Sequence, residues 1–256
     1  MTDRMPVLFV GHGCPLNAIE DNIFSREWSV VGKTLPKPRA ILVVSAHWET
    51  AGTQVTAMAR PATLYDFQGF PPALYEMRYP APGEPELSRS IKKVISDPVI
   101  HLDFSWGLDH GAWSVLSRLF PKADIPVLQM SLDFDQPAAY HYELGKKLAY
   151  LREEGVLVLG SGNMVHNLRI MVREDTAFGW AREFDDELVG LIQSGEHQRL
   201  IDYPSLGENA PLAIPTPEHY LPLLYVLAMQ KKDGKIRFFS DRITFGSVSM
   251  RSVLIV

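Results

Sequence analysis

The sequence predicts an α/β fold: one three-layer α/β/α domain, residues 1–256, built around a mostly parallel or mixed central sheet. Three observations predict it. Short aliphatic runs alternate with stretches of helical period along the chain. The runs Val7–Val10, Ile41–Val44 and Val156–Leu159 carry four apolar residues each with no polar alternation, as strands buried on both faces do. Each run then stops near Gly or Ser and delivers a histidine: Gly11-His12-Gly13, Ser45-Ala46-His47-Trp48, and Gly160-Ser161-Gly162-Asn163-Met164-Val165-His166. Ligands of open α/β sheets bind at the carboxyl ends of strands, so these three histidines point to one site.

The elements follow in order. Pro6–Val10 is the first strand, and Gly11 and Gly13 let the chain turn with positive φ and approach a ligand closely. Ala40–Ser45 is the second strand, and Thr53–Met58 a further, more exposed one. From Arg60 to Pro85 the chain is rich in Pro, Gly and aromatics, with no helical or strand period. A loop this long inside a compact domain is usually functional, and it reads as a cover over the site. Pro85–Ser96 places Leu87, Ile91 and Val94 at helical spacing. Val99–Phe104 is a strand. Gly107–Trp113 holds another glycine-flanked histidine, His110, and leads into a helix through Leu119.

Ile125–Leu132 is the next strand. Asp135 and Pro137 open a helix by cap and first-turn logic. Its stripe is Tyr140, Leu144, Leu148 and Leu151, and Gly155 closes it. After the strand that leads to His166, Trp180–Ile192 is amphipathic, and Ser194–Ile214 is irregular. Thr216-Pro217-Glu218-His219 starts a last helix with Thr216 as cap, and Pro222 bends or delays it. Ile243–Val256 reads as terminal strands. There is no internal repeat and no low-complexity segment.

Composition excludes several functions. Of the residues 46% are apolar and 21% charged, as in ordinary globular proteins. The net charge of -5, with no basic block, argues against a phosphate-tracking nucleic-acid groove. The single Cys14 rules out an intrachain disulfide framework. No run approaches the ~18 apolar residues of a membrane span, and the first apolar run breaks at Gly11, so no membrane partner and a cytoplasmic location are expected. A P-loop, a dinucleotide fingerprint and a His-Glu-x-x-His helix are absent, and the nucleophile-elbow pattern around Ser161 fails because residue 159 is Leu.

Eight histidines are present. His101, His141 and His197 lie in ordinary strand or helix contexts and read as structural. His12, His47, His110, His166 and His219 each lie at an element end next to or within two residues of Gly, Ser, Asn or Pro. Five in the same kind of place favour a shared metal site, because neutral imidazole is the commonest metal ligand.

Taken together, Gly11-His12-Gly13-Cys14-Pro15, Ser45-Ala46-His47-Trp48, Asp109-His110-Gly111-Ala112-Trp113, Ser161–Asn167 and Pro217-Glu218-His219-Tyr220-Leu221-Pro222 resemble the type II extradiol ring-cleavage dioxygenases, in their DOPA 4,5-dioxygenase-like branch. The resemblance implies an enzyme that opens the ring of a catechol such as DOPA with molecular oxygen to give a semialdehyde. It implies His12, His47 and His219 as metal ligands, with His219 where related enzymes carry a glutamate. His166 matches the catalytic acid–base and also a possible fourth ligand, and His110 a catalytic residue that steadies the reacting oxygens. Iron(II) is expected for activity. Zinc(II) suits the same imidazoles and is expected in protein purified in air. His219 in a first helical turn would be held neutral by the helix dipole. Glu218 is either a partner for a histidine N–H or a charge suited to a first turn. Trp48 and the aromatics of residues 60–80 either line the ring pocket or anchor the loop. A zinc-dependent hydrolase and a redox-silent binding protein of the same family are the alternatives.

Overall fold

The three aliphatic runs are neighbours at the centre of one sheet. The computed structural model describes residues 4–231 and 234–256. In chain order these form β1 (Val7–Gly11), α1 (Ile23–Thr34), β2 (Ala40–Thr50), β3 (Gln54–Thr56), α2 (Pro72–Glu76), α3 (Pro85–Val94), β4 (His101–Asp103), α4 (His110–Leu119), β5 (Val127–Asp133), α5 (Ala138–Leu148), β6 (Val156–Gly162), α6 (Gly179–Ser194), α7 (His197–Ile201), α8 (Ala210–Ala213), α9 (Leu221–Leu227), β7 (Ile236–Phe239), β8 (Ile243–Thr244), β9 (Val248–Ser249) and β10 (Ser252–Ile255).

The main sheet has eight strands in the order β4-β3-β5-β2-β6-β1-β10-β7. Its middle, β5-β2-β6-β1, is parallel. The contacts of β3 with β5, β1 with β10 and β10 with β7 are antiparallel, so the sheet is mixed. Both faces are covered. Val7 and Phe9 of β1, with Leu42 and Val44 of β2, point into a core shared with α3, α5, α6 and α9. Leu8 and Val10, with Ile41 and Val43, point into the opposite core against α1 and α4. Alternation in the strand thus separates two apolar layers, which is why these runs carry no polar residue. Among the described residues no helix is long and apolar enough to cross a membrane.

Register places the site. Gly11 pairs with Gly162, and Ser45 with Ser161, so β1, β2 and β6 end level with one another. The β1 ladder continues one step, with the His12 N–H donating to the Gly162 carbonyl at 3.0 Å. Gly162 is required for the packing: a Cβ there would lie 2.1 Å from the His219 carbonyl oxygen. Only Gly13 of the first pair has positive φ, +55°. Gly11 serves close approach instead, against the Met250 backbone.

Several elements differ from expectation. β2 runs on to Thr50, so His47 lies inside the strand, where its pairing with β5 shifts register between Val44 and Glu49. β3 is shorter than expected, and Val55 and Thr56 are buried rather than exposed. The last helix begins at Leu221, with Pro222 in its first turn, and residues 217–220 form a hydrogen-bonded turn before it. Pro137, not Asp135, takes the cap position of α5. α7 and α8 give local order to the irregular stretch.

Three further elements have no counterpart in the sequence reading: α1, β7 and the five-residue α2 inside the 60–85 loop. α1 buries only Ser25, Trp28 and Val31, a stripe too narrow to stand out, and is defined by reciprocal capping between Asn22 and Ser25. β7 is four residues at the sheet edge.

His141 on α5 is a buried structural histidine. Its Nδ1 lies 3.1 Å from the Tyr225 hydroxyl on α9, and burial lowers its pKa to about 4. The unfolded chain binds this proton near the ordinary ~6.5. Between those values the unfolded state holds more protons, so stability falls as pH falls from about 6.5 to about 4. The full span corresponds to about 3 kcal/mol. Urea midpoints at pH 7 and pH 4.5 should therefore lie closer together in His141→Gln than in the parent protein, and parallel profiles would contradict the buried neutral state.

Candidate metal centre

Each candidate histidine reaches the site by a different route. His12 follows β1 directly, and His47 projects from the irregular part of β2. His110 is the first residue of α4, whose cap is Asp109 accepting from the Ala112 N–H. His166 lies beyond β6, and His219 in the turn before α9. All five line one cavity of about 380 Å³, a size usual for small-molecule sites. Phe67, Phe70, Leu168, Met171, Phe245 and Val248 supply its apolar wall.

Hydrogen bonds assign the tautomers. The Ser161 hydroxyl donates its one proton to the Gly111 carbonyl at 2.6 Å, so it accepts from His12 Nδ1–H at 3.0 Å. The His12 Nε2 lone pair is then free, and it faces His47 Nε2 at 3.1 Å. A divalent metal ~2.1 Å from each nitrogen would set them roughly 3.0–3.4 Å apart. His219 Nδ1–H donates to the Glu218 carboxylate at 3.0 Å, which also accepts from the Thr216 hydroxyl at 2.9 Å. That frees His219 Nε2. Such outer partners orient ligand imidazoles and make them more basic.

Ring spacing separates the histidines into two kinds. His12, His47 and His219 form a triangle with centroid distances of 4.9, 5.1 and 5.3 Å. Two imidazoles on one metal hold their centroids roughly 4.5–5.3 Å apart, from bond lengths of ~2.1 Å. His110 is 3.8 Å from His47, and His166 stacks on His219 at 3.5 Å and 13°; both are closer than two ligands of one ion would sit. Proximity of possible ligand atoms alone groups the residues otherwise, as His12 with His47 and His110, and His166 with Glu218 and His219. Ring geometry is the stronger criterion, because it asks whether two rings can both turn a nitrogen to one ion; the Asp66 contact does not decide, since it leaves His110 Nε2 free just as Glu218 leaves that of His219.

Asp66 is the residue of the candidate site that the sequence reading missed. Its carboxylate accepts from the His110 backbone N–H and from His110 Nδ1–H, each at 2.9 Å, and lies 3.6 Å from His47 Nδ1. Burial works to raise its pKa, but the His110 hydrogen bond and charge outweigh that and hold it low.

The imidazoles are kept neutral. Burial, then the neighbouring histidines, pushes His12 and His219 well below the ordinary value. Burial and His110 lower His47 to about 3, and burial lowers His166 to about 4. Neutral imidazoles are what a metal binds. Desolvation and like neighbours do for His219 what the helix dipole was expected to do; α9 starts two residues later.

Residues 18–252 match the family described as the catalytic LigB subunit of aromatic ring-opening dioxygenase. The chain belongs to the LigB family. With it comes the class of enzyme, an extradiol ring-opening dioxygenase. A protein of Escherichia coli (strain K12) named 4,5-DOPA dioxygenase extradiol is 48% identical over 98% of this chain and 95% of its own. One from Beta vulgaris with the same name is 37% identical over 95% and 94%. A crystal structure of an uncharacterized Escherichia coli K12 protein matches with a TM-score of 0.87 at 44% identity, covering 99% of this chain and 100% of that one.

In this LigB-family chain the 60–85 loop covers the site as expected, through Phe67 and Phe70. Its tyrosines anchor it instead: Tyr65 donates to the Met77 carbonyl and Tyr79 to that of Phe120. Trp48 does not line the pocket. It is buried and stacked on Trp106, with centroids 5.5 Å apart and planes 4° from parallel. The segment carrying His166 is pinned rather than loose, by His166 N–H to the Ala213 carbonyl, Asn167 Nδ2 to Leu212 and Asn163 Nδ2 to Ser249.

Proposed function

We propose that this chain is a metal-dependent extradiol dioxygenase that opens a catechol such as DOPA with molecular oxygen, giving a ring-opened semialdehyde. The observation that carries the reading is the triangle of three neutral imidazoles, His12, His47 and His219, facing a cavity with an apolar wall. Three side chains on one face of an ion leave positions open for a diol and for oxygen. The donor set fits both iron(II) and zinc. Glu218 and Asp66, behind His219 and His110, offset the charge that an all-histidine ligand set leaves on the ion.

When bound, iron(II) would supply acidity toward the catechol hydroxyls and an electron source toward oxygen. The chain's own residues do the rest. Phe67 and Phe70, edge to face at 5.2 Å, hold the ring and exclude water. His166 takes a hydroxyl proton, and His110, held by Asp66 through its Nδ1–H, presents Nε2 to the reacting oxygens. The names of the relatives favour DOPA as substrate.

The test is reconstitution. Chelated protein given iron(II) under reducing conditions should consume one oxygen per catechol and form a yellow product. The same protein given zinc should bind metal and consume none, since zinc has no redox chemistry. Equal uptake with both metals, or none with iron across a panel of catechols including DOPA, would sink the reading.

A further inference from the structure

A second cavity of about 310 Å³ adjoins the metal-centre cavity, and the two share Cys14 and Phe245 in their walls. Their chemistry differs. No Lys, Arg, Asp or Glu lines the first, among the described residues. The second is lined by Arg173, Glu20 and Asp175. Arg173 forms no ion pair with another described residue, so its guanidinium is free for an outside anion.

Phe245 stands at the boundary. It occupies the turn between β8 and β9 at φ 52°, followed by Gly246 at 76°. A left-handed backbone costs a bulky residue energy and persists only where its surroundings over-determine it. Here they do: Val172 N–H donates to the Phe245 carbonyl at 3.0 Å, Gly246 N–H to Thr176 at 2.9 Å, and Asn167 N–H to Ser247 at 3.1 Å. The turn is therefore stitched to the segment that carries Arg173. Glycine would relieve the strain but would remove a side chain that both cavities share in their walls.

We propose that the second cavity is a subsite for the substituent of the catechol, with Phe245 as its partition and Arg173 as the anchor for a carboxylate on a short side chain. Glu20 and Asp175 stand where an ammonium group on the same chain would be met, so an amino-acid catechol can be held at both charges. This rests on the ring-opening reading above, and it assigns the residues outside the metal centre that select a catechol by its tail, Arg173 and Phe245.

The test is anaerobic calorimetry on iron(II)-loaded protein with 4-ethylcatechol and 3-(3,4-dihydroxyphenyl)propionate, followed by oxygen uptake with the same pair. The parent protein should prefer the acid. Arg173→Gln should change the ratio of the two Kd values, and of the two KM values, by about threefold to fivefold against the acid, as loss of an exposed charge pair does. Phe245→Gly should shift preference by a similar factor toward 4-tert-butylcatechol over catechol. An unchanged ratio in Arg173→Gln, with the parent protein active on both compounds, overturns the subsite and leaves the ring-opening reading intact. A parent protein that binds and consumes neither overturns both.

Discussion

Alanine in place of His12, His47 or His219, one at a time, should strip the protein of metal and of ring-opening activity while far-UV circular dichroism stays near that of the parent. The expected loss exceeds the ~10–100-fold in affinity that removal of an outer partner costs, because a ligand bond itself goes. Glu218→Ala, which frees His219 Nδ1, should fall within that smaller range. The fold should survive, since the three side chains end in the cavity and the strands beneath them are held by Val7–Val10 and Ile41–Val44 in the two cores. His110→Ala is the discriminating control. Ring spacing argues against His110 sharing an ion with His47, whereas nitrogen proximity groups it with His12 and His47. Metal should therefore stay in His110→Ala and leave in His219→Ala, as metal analysis after gel filtration would read directly. The opposite result would move the third ligand to His110.

How much of this was legible in the sequence depends on the range of each interaction. His12, His47 and His166 stood out because an apolar run that ends in Gly or Ser is a local pattern, and parallel pairing of β1, β6 and β2 brings their ends level. His219 was legible as a motif although its helix starts later, because Pro222 delays the helix without moving the turn. Asp66 was not legible. Its meaning lies wholly in a contact 44 residues away in sequence, and the loop around it has no period to read. Trp48 was left between two readings for a physical reason: His47 and Trp48 are adjacent in an extended strand, so they point to opposite faces, and ending the strand at Ser45 hid that. Phe245, in a three-residue turn, carried no signal beyond the glycine that follows it.

His166→Ala should keep its metal, still bind catechol, and turn over roughly two to four orders of magnitude more slowly, the usual scale for a general acid–base. Its ring lies parallel to that of His219 at 3.5 Å, closer than two ligands of one ion would sit, so an ion held by His12, His47 and His219 would not depend on it. Burial lowers its pKa to about 4, below the working range expected from an ideal acid–base. That makes it a neutral base at pH 7, ready to take a hydroxyl proton. Once the proton has moved, the catecholate beside the imidazolium stabilises the charged form, because an opposite charge nearby raises the pKa. The proton is thus held while the anion persists and is released when that charge is consumed. The backbone contacts of His166, to Ala213 and across to Val248, do not involve the imidazole and should survive the substitution. Imidazole added to the assay should restore part of the lost turnover in His166→Ala and none in His12→Ala. Loss of metal from His166→Ala would make His166 chiefly a ligand, and the proton-transfer role would pass to another group.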